Sequence, residues 1–145
     1  MEMKTAQEIK LVSKRKKFKP VQIMATWQAY EYIINLYDST IDIYETAYIL
    51  ILKGDTVLGW YKLSQGGATT TVMDPKIITK IAIDSLAQGV IVAHNHPSGS
   101  CMPSVQDKKV AGKIKECLEI FNIEMLDFMV VAHTNYYSFK ENHEL

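Results

Sequence analysis

His94 and His96 stand one residue apart, and Asp107 follows eleven residues after the second of them. The pair lies in Ala93-His94-Asn95-His96-Pro97-Ser98-Gly99, behind an apolar run and ahead of a helical pattern. Residues i and i+2 at a strand end share a face, so both imidazoles can enter one cleft. A loop between His96 and Asp107 can bring the carboxylate back to the same point. Two nitrogens and an oxygen suit zinc or a similar divalent ion, and ligand type alone leaves Mn²⁺ and Fe²⁺ open. Three protein ligands leave a fourth position for water, the mark of a catalytic zinc site.

The elements that must hold these groups follow from pattern. Val90-Ile91-Val92 reads as a buried strand that delivers His94 to the sheet edge. In open α/β sheets, sites lie beyond the carboxyl ends of strands. Ser104 opens the next helix, whose apolar face is Val110, Ile114, Cys117, Leu118 and Phe121. Upstream, Asp74-Pro75 starts a helix with Ile77, Ile78, Ile81, Ala82 and Leu86 inward, and Gly89 ends it. Before that come an apolar strand over 47–52, a turn at Lys53-Gly54-Asp55, a partner strand over 56–63 and a Thr-rich strand over 68–73. The first part of the chain reads as a frayed stretch over 1–8, an edge strand with Ile9, Leu11 and Val12, and a helix over 27–37. Thr26 caps that helix, and Trp27, Tyr30, Ile33, Ile34 and Tyr37 face the core. A strand over 123–132, a Thr134-Asn135 turn and a short strand over 136–139 close the chain. The order β-α-β-β-β-α-β-α-β-β predicts an α/β fold: a mixed sheet with helices on both faces, in three layers.

A chain of 145 residues, 48% hydrophobic and 22% charged, predicts a single globular domain with a real core, covering 1–145. No apolar run approaches the ~20 residues that span a bilayer, and the start lacks a signal-peptide pattern. Cys101 and Cys117 form neither a metal knuckle nor a disulfide framework, so a reducing cytoplasm is expected. Net charge is zero, yet the first twenty residues carry +5 and the remainder −5. Lys14-Arg15-Lys16-Lys17 with Lys19 reads first as a solvated end and second as a nucleic-acid contact. No aromatic interleaving supports the second.

Ser104 and Asp107 also carry a purely local reading, because Ser-x-x-Asp resembles a capping box. The two roles are compatible: a helix N-terminus fixes the rotamer of Asp107 and can aim it at a metal.

The complete string His94-x-His96, seven residues, Ser104, two residues, Asp107 resembles the JAMM (MPN+) metalloprotease motif. His94-Asn95-His96-Pro97-Ser98-Gly99 with Pro103-Ser104 and Asp107 is similar to its RadC-like branch. So are Leu58-Gly59-Trp60-Tyr61-Lys62-Leu63-Ser64, Gly66-Gly67, Asp74-Pro75, Leu126-Asp127 and Tyr136-Tyr137-Ser138-Phe139. The resemblance implies a three-layer α-β-α JAB/MPN fold related to cytidine deaminases. It implies one Zn²⁺ held by His94, His96 and Asp107, with Glu45 as general base and Ser104 as donor to the oxyanion. Glu31 is the fallback for Glu45. The implied reaction is hydrolysis of a peptide or isopeptide bond in a protein substrate, with no membrane partner.

Two positions depart from that branch. Phe128 stands where a histidine usually follows Leu-Asp; His133 nearby reads first as a solvent-facing residue near a turn and second as a substitute, and Cys101 lies inside the metal loop, where it reads as a loop residue or an inhibitory ligand. The branch often carries an N-terminal helix-hairpin-helix segment, and residues 1–40 lack its glycine hairpin. A DNA-repair-associated binding module and a metal-bearing scaffold are the competing readings. The spread-out HNH nuclease unit, the deaminase H-x-E with P-C-x-x-C, and H-E-x-x-H are all absent.

Overall fold

A computed structural model describes residues 19–66 and 73–145. The elements are β1 (Val21–Gln22), α1 (Thr26–Ile34), β2 (Thr46–Lys53), β3 (Thr56–Gln65), α2 (Pro75–Asp84), β4 (Gly89–Asn95), α3 (Val105–Glu119), β5 (Glu124–Val131) and β6 (Tyr136–Ser138). One sheet has the order β1-β3-β2-β4-β5-β6. Only β4 and β5 run parallel; the other neighbours are antiparallel. That parallel step requires a crossover, and α3 supplies it.

Alternation along the strands sorts the core into two layers. Ile49, Ile51, Val90, Val92 and Phe128 face α2 and α3 through Ile78, Ala82, Ala111, Ile114 and Leu118. Leu50, Leu52, Ile91, Ala93, Met129 and Val131 face α1 through Ala29 and Ile33. The sheet is therefore sandwiched as expected, with one helix on one face and two on the other among the described residues. Every residue of β4 is buried, which is why it reads as a continuous apolar run rather than an alternating one. Each fully buried aliphatic or aromatic side chain contributes about 1.5–3 kcal/mol of transfer free energy.

Several local expectations need correction. The N-cap of α1 is Ala25, not Thr26, and the Gln28 side chain accepts from the Met24 and Ala25 amides at 2.8 and 3.1 Å. The helix stops at Ile34 because the Asn35 side chain donates back to the Glu31 carbonyl at 2.7 Å and the next residues turn. Trp27 is 54% exposed, on the solvent side of the helix. In α2 the buried residues are Ile78, Thr79 and Ala82, whereas Ile77 and Leu86 are exposed. Leu86, with φ 54°, makes the left-handed turn assigned to Gly89, and Gly89 instead begins β4. Phe121 lies past the end of α3 and is exposed. The frayed stretch over 1–8, the strand with Ile9, Leu11 and Val12, the cluster Lys14-Arg15-Lys16-Lys17 and the Thr-rich segment over 68–72 lie outside the described residues; Met73 is not in a strand.

Candidate metal centre

β4 ends at Asn95 with His94 fully buried, and His96 follows as the chain leaves the sheet. His94 sits opposite Ala47 of β2 and Val130 of β5, so its backbone is paired on both sides of the strand. The loop after His96 returns to Ser104, which caps α3 by accepting from the Asp107 amide at 3.0 Å. Asp107 completes the capping box: its Oδ2 accepts from the Ser104 amide at 2.7 Å. The local reading is therefore correct, and the cap holds the carboxylate over the histidines.

The three side chains converge. His94 Nε2 lies 3.2 Å from His96 Nε2. Asp107 Oδ1 is 3.0 Å from His94 Nε2, and its Oδ2 is 3.2 Å from His96 Nε2. Glu45, buried just ahead of β2, joins from the side: Glu45, His94 and His96 offer ligand atoms that all lie within 4.8 Å of one another. These residues could hold a metal ion. A tetrahedral ion with bonds of ~2.0 Å sets its ligands about 3.3 Å apart, close to the spacing of the two nitrogens and the Asp107 carboxylate. Two facing Nε2 atoms also suit a shared cation better than each other, since neutral rings can satisfy that contact in only one pair of tautomers. The donor set therefore fits a divalent ion.

The electrostatics match. Burial acts to raise the Asp107 carboxyl, but hydrogen bonds from His94 and His96 and from the Ser104 amide hold it well below the usual range. The hydrogen bond to Asp107 raises His96 above its ordinary value, against burial. His96 Nδ1 lies 3.1 Å from the Ser100 carbonyl, the kind of partner that fixes a ligand's tautomer. His94 Nδ1 has no such partner among the described residues. Its neighbour is the buried ring of Phe128, with centroids 5.5 Å apart.

The remaining candidates stay away. His133 pairs with Asp42 at 3.0 Å on the surface and does not substitute at position 128. Glu31 is exposed on α1. Cys101 is half-buried, burial pushes its thiol up, and it bears electrostatically on Tyr30. A protonated thiol is a poor ligand. Reading Asn95 only as the spacer between the histidines missed its role. It is fully buried and bonds the loop that carries Glu45.

A three-layer mixed sheet with paired histidines at a strand end and an acid on the following helix defines a JAB-type domain. The chain belongs to the RadC-like JAB domain family, whose profile matches residues 23–145. Three UPF0758 proteins are similar to it. The one from Flavobacterium johnsoniae is 37% identical over 97 residues, 66% of this chain and 42% of the relative. The Clostridioides difficile protein is 32% identical over 138 residues, 92% of this chain and 57% of the relative. The Chlorobium chlorochromatii protein is 43% identical over 79 residues, 54% of this chain and 36% of the relative. The chain thus spans between 36% and 57% of the length of these relatives. No helix among the described residues is long and apolar enough to cross a membrane.

Proposed function

We propose that this chain is a zinc-dependent hydrolase of the JAMM type, a metallopeptidase acting on a peptide or isopeptide bond. The observation that carries the reading is the convergence of His94 Nε2, His96 Nε2 and the Asp107 carboxylate at 3.0–3.2 Å, with buried Glu45 beside them. His94, His96 and Asp107 would hold the ion. Zinc held there would supply an activated water, its pKa brought towards ~7.

The rest is the work of this chain's own groups. Glu45 takes the proton from the attacking water and delivers it to the leaving amine, so hydroxide goes to the carbonyl carbon and the proton to nitrogen. Its burial keeps that carboxylate out of bulk water, beside two histidines. The Ser104 hydroxyl oxygen accepts from the Asp107 amide, which leaves its own proton free to donate to the tetrahedral oxyanion. A donor of that kind is typically worth ~3–4 kcal/mol. The cap and the catalytic hydrogen bond use different parts of one hydroxyl.

Elemental analysis of the wild type, His96→Ala and Asp107→Ala tests the ion. The expected result is one zinc per chain, lost in both variants; a metal-free wild type overturns the reading. A library of peptides and isopeptides then compares wild type with Glu45→Gln. Cleavage that disappears in the variant supports the hydrolase. Zinc retained with no cleavage of any member favours a scaffold.

A further inference from the structure

We propose that Asn95, the residue between the two histidines, is the positioning residue for Glu45; the inference rests on the reading of this site as a metal centre with Glu45 as its base. Side chains alternate along a strand, so while His94 turns to the metal cluster, Asn95 turns to the opposite face. There it is fully buried and reaches a single segment. Its Oδ1 accepts from the Thr46 amide at 2.7 Å. Its Nδ2 donates to the Ile41 carbonyl at 2.6 Å and to the Tyr44 carbonyl at 3.0 Å. Tyr44 and Thr46 flank Glu45 on either side.

The Glu45 backbone is thereby fixed at consecutive peptide groups. Beyond the Asn95 bonds, the Glu45 carbonyl accepts from the Gly66 amide at 2.9 Å, and the Thr46 carbonyl accepts from the Tyr37 hydroxyl at 2.8 Å. Residues 41–43 form a turn, in which the Ile43 and Tyr44 amides donate to the Thr40 carbonyl, and β2 begins at Thr46. Asn95 adds partners from inside the sheet for the Ile41 and Tyr44 carbonyls and the Thr46 amide. Because it is covalently adjacent to both histidines, any shift of the ligand strand carries the Glu45 segment with it. The Asn95 amide thus adds a direct tether between the Glu45 segment and the ligand strand, beside the β2–β4 ladder that pairs Ala47 with His94. A shift of the order of 1 Å at a catalytic group is enough to lose function, so such a tether is the economical solution.

The test is a double-mutant cycle on Zn²⁺ affinity, measured by chelator competition in wild type, Asn95→Ala, Glu45→Gln and the double variant. Glu45 offers an oxygen within 4.8 Å of the His94 and His96 ligand atoms, so its replacement should weaken binding; loss of a supporting residue costs about 10–100-fold. We expect each single variant to weaken binding about tenfold and the double variant to be no weaker than Glu45→Gln beyond about twofold. Independent effects that multiply, or an Asn95→Ala protein with wild-type affinity, overturn the proposal. Asn95→Asp keeps the volume and the Thr46 bond but removes both donors, and it should show the same coupling. Hydrogen exchange of the Thr46 amide in the wild type needs no variant. Exchange as slow as that of Ile49 and Leu50 supports the clamp, and exchange typical of a loop overturns it. A wild type that binds no Zn²⁺ sinks the metal reading while leaving the Thr46 amide to decide whether Asn95 holds the segment.

Discussion

The Phe128 ring packs against the His94 imidazole with centroids 5.5 Å apart, and the Nδ1 of that fully buried histidine has no hydrogen-bond partner among the described residues. A metal-binding histidine almost always gives its second ring nitrogen to an acceptor, which fixes the ring and raises its basicity. Here an apolar face stands beside it. Phe128→His should therefore tighten Zn²⁺ binding about tenfold in a chelator competition. It should also cost about 1–3 kcal/mol of stability, because Phe128 packs on Phe139 with centroids 4.9 Å apart. Unchanged affinity would show that the ring's position, not its missing acceptor, sets the strength of the site.

Ser104→Ala removes the acceptor for the Asp107 amide. The cap is worth about 1 kcal/mol, and a urea titration should show that loss. Elemental analysis should still find the metal, since the three ligand side chains remain. Loss of zinc in this variant would mean that the capping box itself, rather than the histidine strand, organises the site.

Asp127 gives a pH signature of its own. It is 2% exposed, and it accepts from the Phe128 amide at 2.8 Å, the Lys140 amide at 3.1 Å and the Ser138 hydroxyl at 2.6 Å. Burial pushes its carboxyl up despite those bonds. A carboxyl raised on folding binds its proton more tightly in the native state, so it contributes stability at low pH that is lost as pH rises through the folded value. The stability of wild type relative to Asp127→Asn, from urea midpoints, should therefore grow as pH falls from 7 towards 4. A constant difference would show that the hydrogen bonds cancel the burial.

Gly89→Ala tests the close approach of β4 to β5. A Cβ there would sit 2.7 Å from Leu126 Cδ1 and 2.9 Å from its Cγ. Overpacking of this kind typically costs about 1–3 kcal/mol, readable as a shift in thermal midpoint. A neutral substitution would mean that the Leu126 side chain swings aside freely.

Much of this was legible in the sequence. The apolar run of β4, the periodicity of α3 and the spacing of His94, His96 and Asp107 all survive in three dimensions, because each depends on residues close together in the chain. Leu86 escaped because a leucine with positive φ contradicts local preference, and only the packing of α2 against the sheet selects it. Trp27 escaped because helical spacing identifies a stripe without saying which side of a short helix the sheet will cover. Asn95 escaped for a deeper reason. Its partners lie 49 to 54 residues away, and nothing in a strand's pattern announces a long-range amide clamp.

That separation gives the centre a history as well as a shape. His94, His96 and Asp107 come from one contiguous strand-loop-helix piece, whereas Glu45 reaches them only once β2 has paired with β4. Closing a short loop is fast, and non-local strand pairing is the slow step in sheets. The piece that carries His94, His96 and Asp107 can thus form from local contacts before Glu45 is brought beside it. The glutamate joins the cluster only with the non-local pairing of β2 and β4.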